Sequence, residues 1–270
     1  MQRLQYGENM ASLKDRVGVI TLNQKVAKDI YKMILQFEDM PESIKGGQFA
    51  HVKLNDKTHV LRRPFCICDY DMSAKTVTLC YAVVGEGTKI LSSYEVGEKV
   101  QVILPLGNGY APDKNVKKVV LLGGGMGSAV LPAIPTTYPN LEYYTYLGFA
   151  NKDKVVLEEE MRKVSKELVV ATDDGSYGKK GFVTNILAED MAKLKPDVVF
   201  CCGPEVMYKA LKKAMEPFDV PIIVSLEARM GCGIGACLVC NCKVKRAGEE
   251  ETYVRVCIEG PVMKLNEVVL

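Results

Sequence analysis

Histidine is nearly missing from this chain: 270 residues hold only His51 and His59. That leaves no histidine-centred general-base constellation, and each of the two reads as a surface or strand residue. An excess of charge of either sign is also missing. The 35 basic and 33 acidic residues leave a formal charge of +2 and are scattered throughout, so there is no basic stripe for nucleic acid and no polybasic patch for a membrane. The opening MQRLQYGENM lacks the apolar core of a secretory leader. The ten dispersed cysteines are therefore expected as free thiols in a reducing cytoplasm, not as a disulfide framework. An uninterrupted membrane span is lacking too. Val119 to Leu141 carries no charge, but Gly123, Gly124, Gly125 and Gly127 cluster early and Pro132, Pro135 and Pro139 break the remainder; a strand, a phosphate loop and a short helix explain that composition better.

What is present divides into three rhythms. From about residue 13 to 112 the pattern has period two. Tyr31, Met33, Leu35 and Phe37 alternate with polar neighbours, as do Val77, Leu79, Tyr81 and Val83. With glycines and prolines punctuating the runs, this predicts an antiparallel β-barrel of about six strands. From Lys117, short apolar runs (KKVVLL, LEYYTYLGF, ELVVAT, DVVFCC, PIIVSLE) alternate with helical stretches (VVLEEEMRKV, FVTNILAEDMAKL, EVMYKALKKAM). That is the pattern of an α/β doubly wound parallel sheet with ligands at the carboxyl ends of its strands. The last forty or so residues form a small cysteine-bearing module. The expected division is 1–114, 115–224 and 225–270, with KNVKK as the first linker.

The sharpest signal lies in that module. Cys232, Cys237 and Cys240 in SLEARMGCGIGACLVC have the C-x4-C-x2-C spacing of plant-type 2Fe-2S ligand loops, and Cys257 follows in RVCIEG. Glycines 231, 233 and 235 let the backbone bend round an inorganic core and present N–H groups to its sulfurs. Structural zinc is the rival reading, although zinc ribbons usually pair two short C-x-x-C knuckles. Cys242 competes for the fourth ligand position, but it stands two residues from Cys240 and reaches another iron poorly, so Cys257 is preferred.

Two nucleotide signals accompany the cysteines. LLGGGMGSAV follows the first strand of the α/β region and is expected to open a helix whose N–H groups receive a pyrophosphate, or simply to permit close strand–helix packing. Cys202-Gly203-Pro204 ends a later strand, where a ligand's reactive end belongs; a buried structural cysteine is the plainer reading of Cys202. In the barrel region, Arg62 and Arg63 of LRRPFC suit a diphosphate or form a solvated pair on a strand edge, and YAVVGEGT offers a tight turn with phosphate donors.

Taken in order, RPFC, YAVVGEGT, PLGNGY, GGGMG, ATDDGSYGKKGF, CGP and SLEARMGCGIGAC resemble the flavin reductases of the ferredoxin–NADP reductase superfamily. More narrowly, they resemble the family of electron-transfer subunits of NAD-dependent dihydroorotate dehydrogenase B. The resemblance implies FAD on Arg63, Pro64, Phe65, Cys66, Cys80, Tyr81, Ala82, Gly87 and Thr88. It implies NAD on Gly124, Gly125, Met126, Gly127, Asp173, Asp174, Cys202, Gly203 and Pro204, with Cys202 and Glu205 nearest the nicotinamide. It also implies a 2Fe-2S cluster on Cys232, Cys237, Cys240 and Cys257. The implied activity is an electron relay in pyrimidine synthesis, in which a nicotinamide exchanges a hydride with FAD and FAD exchanges single electrons with the cluster. The implied partner is an FMN-containing catalytic subunit that oxidises dihydroorotate, in a heterotetramer of two copies of each chain. A reductase subunit of another redox complex (hydrogenase, sulfur reductase or bifurcating transhydrogenase) would use the same three modules, and a cluster-bearing redox sensor is a third reading. Such proteins often carry serine where Cys66 stands; a thiol is a weaker hydrogen-bond donor toward a flavin. No residue at the end of LEYYTYLGF separates NAD from NADP, and the resemblance favours NAD.

Overall fold

The computed structural model describes residues 14–270. The period-two segments become strands β1 (Asp15–Ala27), β2 (Ile30–Phe37), β3 (Phe49–Val52), β4 (Arg63–Asp71), β5 (Thr76–Ala82) and β6 (Lys99–Leu106). A short helix α1 (Glu86–Ser92) precedes the sixth. They close into an antiparallel barrel in the order β1-β2-β5-β4-β3-β6. Closure follows from the alternation: Met33, Leu35, Val77, Leu79, Val100 and Val102 all turn inward and are buried. Sealing such a face removes each side chain from water at a gain of about 1.5–3 kcal/mol and leaves no open sheet edge.

The second region is a parallel sheet built from β7 (Lys118–Gly124), β8 (Glu142–Phe149), β9 (Glu167–Thr172), β10 (Lys179–Lys180), β11 (Val198–Cys202) and β12 (Ile222–Ser225). The helices are α2 (Ala133–Thr137), α3 (Glu158–Val164), α4 (Val183–Leu194) and α5 (Glu205–Ala214). The strand order β10-β9-β8-β7-β11-β12 reverses direction at β7 and β11, which opens a crevice at their carboxyl ends. One expectation is corrected here. The glycine-rich GGGMG does not open a regular helix: Gly125–Val130 is a 3-10 turn, and α2 beyond it is only five residues long. Pro132 and Pro135 remove N–H donors from the segment, so no long helix dipole forms at this turn.

The cysteine module contributes a hairpin, β13 (Asn241–Val244) with β14 (Thr252–Arg255), and a last strand, β15 (Val262–Lys264). This last strand pairs antiparallel with β12 and completes a seven-stranded sheet. Asn108, of the PLGNGY loop, accepts from the Val262 N–H and donates to the Val262 carbonyl, both at 2.9 Å. A buried seam joins Phe49 and Leu106 of the barrel to Cys240, Val256 and Cys257. The module is thus wedged between barrel and sheet.

Candidate functional site

In the cysteine loop, backbone N–H groups converge on sulfur. Ile234 and Cys237 donate to Cys232 Sγ, Cys232 donates to Cys237 Sγ, and Cys257 donates to Cys240 Sγ, each at 3.4 Å. These contacts link the cysteines in two pairs, Cys232 with Cys237 and Cys240 with Cys257. Two pairs suit a dinuclear centre with two thiolates per iron better than one tetrahedral ion. Arg255 donates to the Gly235 carbonyl at 3.1 Å and is itself paired with Glu259, which braces the loop from β14. The Val239 and Cys232 N–H groups hold the Cys237 thiol down to about 7. Burial and the neighbouring Cys240 push Cys257 up to about 12. Crowding of buried thiolates is what a cationic core relieves, because a bound metal keeps its ligands deprotonated. Cys242 is different. It is half-buried on β13 among apolar neighbours, burial pushes it up to about 11, and it packs against the seam as a neutral thiol.

The flavin candidates lie on the barrel wall next to this loop. On β4 the in-out alternation lapses: Arg63, Pro64, Phe65 and Cys66 are all half-buried, a strip open to a ligand. Arg62 binds both oxygens of Asp15, at 3.1 and 2.6 Å, and is occupied as a strand brace. Arg63 instead donates to the Leu61 carbonyl and lies on Gly87 at the start of α1. A Cβ on Gly87 would stand 2.6 Å from Arg63 Nε, so a larger residue there would make the guanidinium shift. An arginine with no carboxylate partner among the described residues, held over a tight turn, fits a diphosphate. Thr88 Oγ1 accepts from the Val84 and Gly85 N–H groups and shapes that turn. Tyr81 is turned into the barrel: its hydroxyl donates to Asn23 Oδ1 at 2.9 Å and its ring lies against Tyr31 and Phe65. Only its backbone faces outward. Cys80 is buried on the opposite face, where burial raises its thiol to about 12, and Ala82 ends the strand half-buried. Cys66 is pushed up to about 12 by burial and then by the negative charge of Glu227.

A cleft of about 630 Å³ lies at the carboxyl ends of the parallel strands. Gly124, Gly125, Met126 and Gly127 form one wall, Asp173 and the start of α4 another, and Pro204, Val206 and Met207 a third. Gly127 is pressed against the Cys202 carbonyl, so the glycine turn and the CGP turn pack directly together. Of the residues expected here, Cys202 and Gly203 are buried behind the wall, and Cys202 Sγ donates to the Ser225 carbonyl at 3.6 Å. Asp174 caps a local turn through Ser176. Glu205 pairs with Lys209 on its own helix at 2.6 Å and does not line the cleft.

Glu227 does line it, and sequence reasoning passed over this residue although it lies inside SLEARM. It is exposed at the cleft, desolvation by the surrounding protein raises its pKa, and its charge acts on both Cys66 and Cys202. Phe182 is a second such residue, 65% exposed at the cleft edge. An aromatic directly after Gly181 in GKKGF was the signal available for it. Both histidines are in the barrel region. His59 contacts Asp56, while His51 is a strand residue, fully buried on β3.

The family model described as the iron-sulfur cluster binding domain of dihydroorotate dehydrogenase B matches residues 227–269. The dihydroorotate dehydrogenase B (NAD(+)) electron transfer subunit of Bacillus pumilus is 40% identical over 263 residues, 96% of this chain and 99% of that protein. The subunit of the same name from Streptococcus mutans is 36% identical over 264 residues, 96% and 99% of the two chains. A solved chain of the NADH-dependent reduced ferredoxin-NADP oxidoreductase, described in work on flavin-based electron bifurcation, superposes with a TM-score of 0.82 at 29% identity, covering 93% of this chain and 89% of that one. With its barrel, crevice and paired cysteines, the chain belongs to the family of electron-transfer subunits of dihydroorotate dehydrogenase B (NAD+).

Proposed function

We propose that this chain relays electrons between NAD(H) and an FMN-containing, dihydroorotate-oxidising catalytic subunit, with NAD+ as the final acceptor in pyrimidine synthesis. FAD and a 2Fe-2S centre supply the conversion between hydride pairs and single electrons. Residues 1–114 hold FAD through Arg63, Pro64, Phe65, Cys66 and the Gly87–Thr88 turn. Residues 115–224 hold NAD at the glycine turn and Asp173. Residues 225–270 hold the cluster on Cys232, Cys237, Cys240 and Cys257. The assembly is a cytoplasmic heterotetramer of two copies of each chain. No described helix is long and apolar enough to cross a membrane.

The observation that carries this reading is contiguity. Strand β3 pairs with the flavin strip of β4 and packs its outer face on the cysteine module, while Glu227 joins the nicotinamide cleft to Cys66. The protein's own work is positioning: Arg63 and the glycine turns seat phosphates, the β4 strip and Glu227 border the reacting ring systems, and the packed seam keeps water from the path. The likeness to the bifurcating oxidoreductase chain favours one alternative, the same relay serving a different partner.

Anaerobic titration with NADH, on material purified with its native partner and assayed for flavin, iron and sulfide, tests the proposal. Flavin bleaching followed by cluster reduction and orotate-dependent reoxidation is the expected result. Zinc in place of iron, or a flavin that does not respond to NADH, would overturn it.

A further inference from the structure

His51 is held by three separate features. It stands on β3 opposite Pro64 of the flavin strip and Ile103 of β6. Ala50 and Val52 on either side fill the barrel core, so by alternation His51 faces outward with Phe49, the residue that seals the seam with Cys240 and Cys257. Its ring is wholly buried, and neither nitrogen meets hydrogen-bond geometry with a described protein atom. A buried imidazole whose hydrogen bonds are left open in this way is costly, so the polar groups nearest it decide what it can do.

The direction of the ring identifies the site. Nδ1 lies where a side chain on Gly233 would begin: a Cβ there would stand 2.6 Å from it. Gly233, at φ +70°, is the residue after Cys232 in the cysteine loop. The backbones at Cys232 and Arg62 lie beside the ring. In either protonation state the imidazole carries at least one N–H donor.

We propose that His51 is a positioning residue for the iron–sulfur centre: anchored on the flavin strand, it presents an N–H to the Cys232–Gly233 turn and so orders and polarises the Cys232 side of the cluster. This rests on the ligand set proposed above. The turn it supports carries the Ile234 and Cys237 N–H groups that donate to Cys232 Sγ, so holding the turn sets those donors, and supporting groups of this kind tune a metal site.

The test uses the flavin- and iron-loaded chain. His51→Phe keeps a ring and removes the N–H, whereas His51→Gln returns a donor. In His51→Phe we expect normal FAD content, altered g-values of the reduced cluster in electron paramagnetic resonance, and cluster reduction disfavoured about tenfold, which is about 59 mV for a one-electron couple. His51→Gln is expected to move both readouts back toward wild type. An iron-replete His51→Phe protein with unchanged spectrum and potential overturns the proposal. Should both variants lose iron, 15N-histidine-labelled wild type decides, with His59→Asn removing the only other histidine. A nitrogen coupling to the reduced cluster supports the role of His51, and its absence from an intact cluster signal overturns it. Failure of the ligand set would show separately, as wild-type protein without a 2Fe-2S signal or Cys232→Ser protein that keeps one.

Discussion

Lys32 Nζ on β2 lies 3.0 Å from Glu160 Oε1 on α3, so an ion pair fastens the barrel to the parallel-sheet region. Burial alone would lower the Lys32 pKa, but the hydrogen bond and charge of Glu160 reverse this and raise it above 10.5. Burial would likewise raise Glu160, but Lys32 outweighs it and the carboxyl falls below 4.5. The Glu160 contribution is therefore complete above pH 4.5 and lost as pH falls through the lowered value. The Lys32 contribution is complete below pH 10.5 and lost as pH rises through the raised one. Both side chains are partly exposed, so Glu160→Gln is expected to cost only about 0.5–1 kcal/mol at neutral pH. Thermal unfolding of the two proteins should show that difference, shrinking below pH 4.5.

The cysteine pairing separates Cys257 from Cys242. Cys257→Ser is expected to remove most of the cluster's visible absorption and its iron, because the Cys240 partner is left alone. Cys242→Ser should leave both intact, since that thiol packs in the seam. Iron and sulfide analysis beside the absorption spectrum decides between them.

Gly87→Ala probes the flavin cradle without touching a polar group. Its methyl would displace the Arg63 guanidinium, and FAD content after gel filtration is expected to fall about tenfold or more, as it should in Arg63→Ala, since a charge-assisted hydrogen bond contributes about 1.5–3 kcal/mol. Full flavin content in both variants would place the diphosphate elsewhere.

Glu227→Gln tests the carboxylate between the nicotinamide cleft and Cys66. Because burial raises its pKa, Glu227 protonates at higher pH than an ordinary glutamate. The acid limb of NADH-driven flavin reduction is expected to sit above pH 4.5 and to vanish in the variant. A fall of about 10- to 100-fold in kcat, with a smaller change in KM, is the expected size for one charged hydrogen bond. An unchanged pH profile would remove Glu227 from the reaction.

Much of this could be read from the chain. Alternating side chains such as Met33, Leu35 and Phe37 carry their own instruction to form a half-buried sheet, and runs such as DVVFCC carry one to form a strand buried on both faces. The spacing of Cys232, Cys237 and Cys240 is local chemistry, and adjacent residues suffice to express it. Glu227 and the burial of His51 had no comparable signal, because each depends on what folds against it from far along the chain. The short 3-10 turn after Gly124 was misread for a different reason: its glycines suggest a phosphate loop, but the following prolines decide how much helix can stand behind it.

The sequence by itself determined the barrel, the βα alternation and the thiol spacing, because periodicity, propensity and short loops act over a few residues. Only the tertiary structure decided that β15 would close the sheet beside β12, that Arg62 would brace a strand while Arg63 stayed open to a ligand, and that His51 would lie beneath Gly233. Those outcomes depend on packing and charge compensation between segments tens to hundreds of residues apart, and no local pattern encodes which partner will be there.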